Sequence, residues 1–85
     1  MSKVTMYSTR WCPYCRLAEQ LLRSKGVTEL DMIDVEQLPG GRETMIARTG
    51  RRTVPQVFVG ATHVGGYDDL SALDRRGQLE PLLAQ

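Results

Sequence analysis

The sequence predicts an α/β domain in which a mixed four-stranded sheet carries helices on both faces. Strand-like apolar segments alternate with segments of helical spacing, in the order β-α-β-α-β-β-α. The first two strands are joined through a helix, so they should be parallel with a right-handed crossover. Residues 60–61 separate the last two strands by the spacing of an antiparallel hairpin. With 85 residues, we expect residues 1–85 to form a single domain.

The first half of the chain supplies two strands and the helix between them. Residues 4–7 are β-branched and aromatic, and they predict a buried strand. Pro13 suits the first position of a helix, and apolar residues follow it at helical spacing. Lys25 and Gly26 form a basic last turn and a glycine stop. A second strand is expected at residues 30–35.

The second half begins with a turn at residues 38–41. We expect the remaining elements, in order, to be a helix at 42–49 ended by Gly50, strands at 56–59 and 62–64, a helix opened by Asp68 and Asp69 and ended by Gly77, and a last apolar turn at 79–83.

Composition restricts the classes of function. The net charge is +1 with acids and bases mixed, so a nucleic acid is not expected as the main partner. Neither a signal peptide nor a long apolar span is recognisable, which predicts a cytoplasmic protein without a membrane partner. In that reducing compartment, two closely spaced cysteines indicate catalysis or metal binding more than a structural disulfide.

Cys12 and Cys15 form a Cys-x-x-Cys motif that opens a helix directly after a strand. That context is typical of a thioredoxin-like redox motif. Zinc is the first alternative, but it needs four ligands, and the other candidate of that type is His63 in a distant strand. A purely structural disulfide is the second alternative, but across one helical turn it would stabilise little. No metal site is therefore expected.

The start of a helix gives Cys12 its predicted chemistry. Unpaired N–H groups and the positive end of the helix dipole favour an anion there, and the thiolate is the reactive form of cysteine. We expect the N–H groups to contribute most and Arg10 and Arg16 to add to the effect. Cys15 lies one turn later on the same side, so Cys12 should attack and Cys15 should resolve.

Three aromatic or basic side chains receive separate predictions. Tyr14, between the cysteines, is hard to bury and is predicted to contact the substrate. Trp11 is expected to pack and to shield the loop before the nucleophile. His63 is predicted to be a hairpin residue and not a catalytic base, because thiolate exchange at a helix N-terminus needs none.

Two further segments complete a pattern with the Cys12–Cys15 motif. Residues 53–58, Thr-Val-Pro-Gln-Val-Phe, resemble the threonine-valine-proline segment of glutaredoxins. Residues 65–70, Gly-Gly-Tyr-Asp-Asp-Leu, resemble their glycine-glycine-x-x-aspartate segment. The resemblance covers essentially the whole chain and is closest to the dithiol glutaredoxins of the bacterial glutaredoxin 3 group.

This resemblance implies a thioredoxin fold and a glutathione-dependent thiol–disulfide oxidoreductase. Cys12 and Cys15 would form the redox-active disulfide. Glutathione would be the electron-donating co-substrate, and no cofactor would stay bound. The implied partners are glutathionylated or disulfide-containing proteins, with ribonucleotide reductase among the family's targets. A monomer is the default expectation.

The resemblance also implies where glutathione binds. The Val54–Pro55 bond should be cis, so that the backbone of Val54 can pair with an extended substrate. The N–H groups of Tyr67 and Asp68 should bind the γ-glutamyl carboxylate, and Asp68 or Asp69 the ammonium. Asp68 could also be simply an N-cap, and both roles could hold together, because a cap uses the side chain and the ligand uses the backbone. The implied contacts are Tyr14, Arg42, Thr53, Val54, Pro55, Gly66, Tyr67, Asp68 and Asp69.

The roles of the cationic side chains in binding glutathione are less clearly implied by the sequence. Arg42 would bind the glycyl carboxylate, or else be a solvated helix residue. The family lysine before the first cysteine is replaced by Thr9, and Arg10 is a candidate substitute. Arg51 and Arg52 are expected to be solvated, with some steering of anions.

Two other functions remain as alternatives. The first is a redoxin of the same fold that is reduced by thioredoxin reductase. The second is an iron–sulfur carrier with Cys12 and glutathione as cluster ligands. Residues 13–15 disfavour the second alternative, because that role usually accompanies a single cysteine beside small residues.

Overall fold

The computed structural model describes residues 2–85 as a four-stranded sheet with four helices. The elements are β1 (Val4–Ser8), α1 (Pro13–Ser24), β2 (Leu30–Asp34), α2 (Gly41–Thr49), β3 (Gln56–Val59), β4 (Thr62–Gly65), α3 (Tyr67–Arg75) and α4 (Leu79–Ala84).

The strands lie side by side in the order β2-β1-β3-β4. β1 and β2 are parallel, and Val4 is opposite Leu30. β3 is antiparallel to both β1 and β4. The predicted mixed sheet, with its parallel first pair and its final hairpin, is therefore confirmed.

Helices cover both faces of the sheet, as predicted. The alternating side chains of β1 divide between two clusters, because successive residues of a strand point to opposite faces. On one face, α1, α3 and α4 bury Ala18, Leu22, Leu70, Leu79 and Leu83 against Val4, Met6, Val57 and Val59. On the other face, α2 buries Met45 beside Tyr7, Val35 and Phe58.

The last apolar turn is longer than predicted, and it forms the separate helix α4. Gly77, at φ 72°, adopts the left-handed conformation that ends α3. The Gly77 and Gln78 N–H groups then bond to the carbonyls of Asp74 and Leu73, at 2.9 and 3.0 Å. These two bonds define a Schellman motif, and the reversed chain begins a new helix at Leu79.

Strand direction brings three loops to one edge of the sheet. β1 ends there and leads to α1. β3 begins there, since Gln56 lies opposite Tyr7 near the end of β1. β4 ends there too, since Gly65 lies opposite Val57. The sheet thus gathers the start of α1, the residues before β3 and the start of α3.

Among residues 2–85, no helix has the length and apolar character needed to cross a membrane.

Candidate active site

Cys12 is the N-cap residue of α1. Its backbone is extended, at φ −135° and ψ 101°, and Pro13 takes the first helical position as predicted. The Cys12 Sγ accepts a hydrogen bond from the Cys15 N–H at 3.2 Å. A sulfur thus takes the place of the side-chain oxygen that usually caps a helix. The predicted N–H contact is present.

Cys15 lies in the first turn of the same helix and is 3% exposed. Neither cysteine is part of a disulfide in this structure. Burial, reinforced by a hydrogen bond with Cys12, raises the pKa of the Cys15 thiol to about 12. Cys15 therefore keeps its proton at neutral pH, whereas the Cys12 sulfur faces a backbone donor. This asymmetry suits an attacking Cys12 and a resolving Cys15.

Alkylation should distinguish the two thiols. Only the thiolate reacts with iodoacetamide, so at pH 7 to 9 the folded, reduced protein should be modified at Cys12 and not at Cys15. Peptide mapping by mass spectrometry after a pH series checks this. Guanidinium-unfolded protein is the control, in which both cysteines should react. Comparable labelling of both thiols in the folded state at pH 8 would contradict the assigned asymmetry.

The residues before β3 lie against Cys12. The Val54–Pro55 bond is cis, as the resemblance implied. The Cys12 thiol donates to the Val54 carbonyl at a sulfur–oxygen distance of 3.8 Å. Gln56 is 1% exposed, and its Nε2 donates to the Thr53 carbonyl at 3.0 Å. This hydrogen bond holds the backbone of the residues before β3 in place.

A groove of about 230 Å³ extends from this loop to the start of α3. The Tyr14 ring, more than half exposed, lies 6.2 Å from the ring of Tyr67 between centroids. Of the residues predicted to contact glutathione, all except Arg42 line this groove. Its lining consists of Tyr14, Arg51, Thr53, Val54, Pro55, Gln56, Gly66, Tyr67, Asp68 and Asp69.

Arg42 is placed elsewhere by α2. Its guanidinium donates to the Arg52 carbonyl at 2.8 Å, which ties the helix to the loop before Thr53. Arg51 lines the groove instead. The contact of Arg42 with glutathione stays a prediction.

The start of α3 is capped by Asp69. The N-cap residue is Gly66, so the alternative that made Asp68 the N-cap is wrong. The Gly66 N–H donates to Asp69 Oδ2 at 2.9 Å, and Arg51 donates to the same oxygen at 2.9 Å. The Arg51 hydrogen bond and the Gly66 N–H lower the pKa of Asp69. The N–H groups of Tyr67 and Asp68, at the first helical positions, have no intrahelical acceptor.

Sequence reasoning underestimated Arg51 and overlooked Gln56. Arg51 precedes Thr53, and its neighbour Arg52 made the pair resemble solvated charge. Gln56 directly follows Pro55 and is the polar residue of the otherwise apolar strand β3, and that position was the available signal. Both side chains bond within the site, Arg51 to Asp69 and Gln56 to Thr53.

Gly65, at the end of β4, adjoins the Arg51–Asp69 pair, and its position favours glycine. Its φ of 118° lies in the region that favours glycine, and an added Cβ would overlap Asp69 Oδ2. Gly65→Ala should therefore strain the backbone and displace the Arg51–Asp69 pair, costing about 2–4 kcal/mol in the free energy of unfolding.

Urea unfolding of Gly65→Ala and Gly26→Ala measures this effect. Gly26 also has a positive φ, of 94°, but a Cβ there meets nothing within 4 Å. Gly26→Ala should cost about 1 kcal/mol from backbone strain alone. Equal losses in the two variants would show that the Asp69 overlap is unimportant.

Trp11 is not packed, contrary to prediction. Its side chain is 78% exposed and lies in the loop between β1 and α1. The Arg10 guanidinium lies 5.7 Å from the centroid of the Trp11 ring. The predicted assistance of Arg10 and Arg16 to the Cys12 thiolate stays a prediction.

His63 is a residue of β4, as predicted. Its ring lies 5.0 Å from that of Phe58 between centroids, and its Nε2 is 2.8 Å from Gln56 Oε1. Burial and the charge of Arg51 lower the pKa of His63. Within the described part of the chain, no three His, Cys, Asp or Glu side chains cluster to hold a metal ion.

A second cavity, larger than the groove beside Pro55, is separate from this chemistry. It has a volume of about 530 Å³ and is lined by residues 2–3 and 27–31. It contains neither cysteine nor any residue of the groove. Because of this lining, the cavity is not a candidate active site despite its size.

The fold and the site together define a class of protein. A helix-capping cysteine, a buried second thiol one turn later and an adjacent cis-proline groove on a four-stranded mixed sheet define a thioredoxin-fold thiol–disulfide oxidoreductase. The glutaredoxin family model matches residues 4–64. The chain belongs to the glutaredoxin family, and it is a glutathione-dependent oxidoreductase.

Curated relatives match along almost the whole chain. Glutaredoxin 3 of Escherichia coli (strain K12) is 51% identical over 83 residues, which cover 98% of this chain and 99% of the relative. Glutaredoxin of Pseudomonas aeruginosa is 48% identical over 84 residues, covering 99% of each chain.

Solved structures agree with the architecture. The buckwheat glutaredoxin–glutathione complex has a TM-score of 0.88 at 31% identity, covering 98% of this chain and 77% of that one. The solution structure of glutaredoxin from Brucella melitensis has a TM-score of 0.84 at 47% identity, covering 98% and 89%.

Proposed function

We propose that Cys12 attacks both glutathione mixed disulfides and protein disulfides, and that Cys15 resolves the protein intermediates. The observation that supports this most is the asymmetry of the pair. The Cys12 Sγ accepts the Cys15 N–H at the start of α1, while burial keeps the Cys15 thiol protonated. Cys12 would therefore attack the substrate, and Cys15 would stay protonated until the resolving step.

In the first branch, the substrate is a protein joined to glutathione by a disulfide. The Cys12 thiolate attacks the glutathione sulfur, the old S–S bond breaks, and the protein leaves as a thiolate that takes up a proton. A second glutathione, as its thiolate, then attacks the glutathionyl sulfur on Cys12. Oxidised glutathione leaves and the Cys12 thiolate returns, so one glutathione thiol is oxidised for each protein thiol that is released.

In the second branch, the substrate is a protein disulfide. The Cys12 thiolate attacks one sulfur, and the other leaves as a thiolate. Cys15 loses its proton and attacks Cys12, forming the Cys12–Cys15 disulfide and releasing the second protein thiol. Two molecules of glutathione then reduce that disulfide and become oxidised glutathione.

We place glutathione in the groove beside Pro55. The Val54 backbone would pair with its peptide, and the N–H groups of Tyr67 and Asp68 would bind the γ-glutamyl carboxylate. Asp68 would meet the ammonium, because the Asp69 carboxylate is already bonded to Arg51.

The remaining contacts of the groove are expected from Tyr14, Thr53, Pro55 and Gly66. Arg42 is the proposed partner of the glycyl carboxylate. To reach it, its guanidinium would have to exchange the Arg52 carbonyl for the ligand.

The setting proposed for this activity is the cytoplasm, with the chain acting as a monomer and a single domain. Its substrates would be glutathionylated and disulfide-containing proteins, with ribonucleotide reductase as a family-based expectation. Glutathione is the co-substrate, and no cofactor stays bound.

A donor assay tests this function. Oxidised protein is incubated with glutathione plus glutathione reductase, or with thioredoxin reductase, and NADPH consumption is followed. Reduction by glutathione supports the proposal. Reduction by the flavoprotein alone would identify the rival redoxin, and a cluster absorbing visible light after anaerobic purification would favour the iron–sulfur carrier.

A further inference from the structure

A second groove opens at Cys12 and shares no lining residue with the groove beside Pro55. It has a volume of about 460 Å³ and is lined by Trp11, Cys12, Pro13, Arg16 and Leu17. Trp11 is 78% exposed and Leu17 is 40% exposed. This surface therefore presents apolar side chains to solvent directly beside the attacking sulfur.

The same surface is cationic. Arg10 and Arg16 are exposed, and neither takes part in an ion pair among residues 2–85. The sequence contains no acidic residue before Glu19. Arg10 lies over the Trp11 ring, so positive charge and apolar surface occur together. A complementary ligand would carry apolar and acidic groups next to its reactive sulfur.

We infer that this Trp11–Leu17 groove docks the polypeptide that flanks the attacked cysteine of a protein disulfide, with a preference for apolar and acidic residues. The inference rests on the proposed function and specifies its protein substrates. When Cys12 forms its disulfide with the substrate, the chain on both sides of the substrate cysteine must pass over the surface around Cys12. Glutathione has its own groove and does not need this one.

Peptide substrates test the preference for acidic residues. Two peptides of equal length, each with one internal disulfide, carry either Asp or Lys beside an apolar residue next to the attacked cysteine. The Asp peptide should be reduced with a kcat/KM about fivefold higher at low salt, and the difference should shrink at high salt. Equal rates, or a preference for Lys, would overturn the charge complementarity.

Leu17→Gln tests the apolar half of the groove, with Leu38→Gln as the matched control. Leu38 is also exposed, at 52%, but lines a different part of the surface. Leu17→Gln should lower kcat/KM for the Asp peptide about fivefold and leave the mixed disulfide of glutathione and 2-mercaptoethanol unaffected. Leu38→Gln should change neither. Equal losses for both substrates in Leu17→Gln would overturn the proposal.

Trp11 is the only tryptophan, so its fluorescence reports occupancy of the groove. In Cys15→Ser, Cys12 can be held as a mixed disulfide with the peptide or with glutathione. The peptide adduct should shift the emission to shorter wavelength because it covers the indole, and the glutathione adduct should not. Identical spectra would show that the peptide lies elsewhere. Failure of wild-type protein on the small mixed disulfide would instead refute the proposed function itself.

Discussion

Cys12→Ser is expected to abolish both activities, with a loss of at least ~10³-fold in kcat/KM, because a serine hydroxyl cannot replace a thiolate nucleophile. Cys15→Ser should separate the two branches. It should keep the reduction of glutathione mixed disulfides, where a second glutathione completes the cycle, and lose the reduction of protein disulfides.

The measurement is a glutathione-coupled assay of both variants on a glutathione mixed disulfide and on a peptide with an internal disulfide. Thermal unfolding of each variant controls for loss of structure, since serine differs from cysteine by one atom. If Cys15→Ser lost both activities while still folded, the assigned roles of the two sulfurs would be wrong.

Gln56→Leu should have the second-largest effect. The Thr53 carbonyl can only accept, so Gln56 must present its NH₂ group there, and its Oε1 must face His63. The His63 Nε2 therefore carries a proton. Leucine fills a similar volume but removes these bonds from a site that is 1% exposed. We expect a loss of about 2–4 kcal/mol in the free energy of unfolding.

The same substitution should also weaken the substrate groove. Thr53 and Val54 would lose the anchor that fixes their backbone beside Cys12. The KM for a glutathione mixed disulfide should rise about tenfold, a change of about 1.4 kcal/mol, with kcat within about twofold of wild type.

Two companion variants make this test specific. His63→Gln keeps a donor for Gln56 Oε1 and should retain more activity than His63→Phe, which leaves that oxygen buried without a partner. Gln37→Leu, at an exposed turn position, is the control and should change neither stability nor KM. A normal KM in Gln56→Leu, despite lower stability, would limit Gln56 to a purely structural role.

Local sequence was sufficient to predict a structural feature wherever the backbone preference of one residue allows few conformations. Pro13 lacks an N–H and fits the first helical position, and Gly77 adopts the positive φ that ends a helix. The β-branched and aromatic residue types at 4–7 predicted a buried strand, and four of the five residues of β1 are buried. The three motifs carried the resemblance to glutaredoxins, because their residues and intervals are readable without coordinates.

Other features depended on which side chains meet after folding. Trp11 is apolar, but the burial of a loop side chain depends on which segments fold against it, and Trp11 is 78% exposed. Arg51 and Asp69 are distant in sequence, and they meet because β4 and α3 return the chain beside the residues before β3. Likewise, Arg42 bonds to the Arg52 carbonyl because folding brings α2 beside the residues before β3.

The sequence by itself determined the order of the elements, the two closely spaced cysteines and the family. Those features depend on backbone propensity and on residues that are close in sequence. Only the tertiary structure decided which cation lines the groove, which aspartate caps α3 and which apolar residues stay exposed. Those outcomes depend on contacts between distant segments, and the spacing of residues along one chain does not specify such contacts.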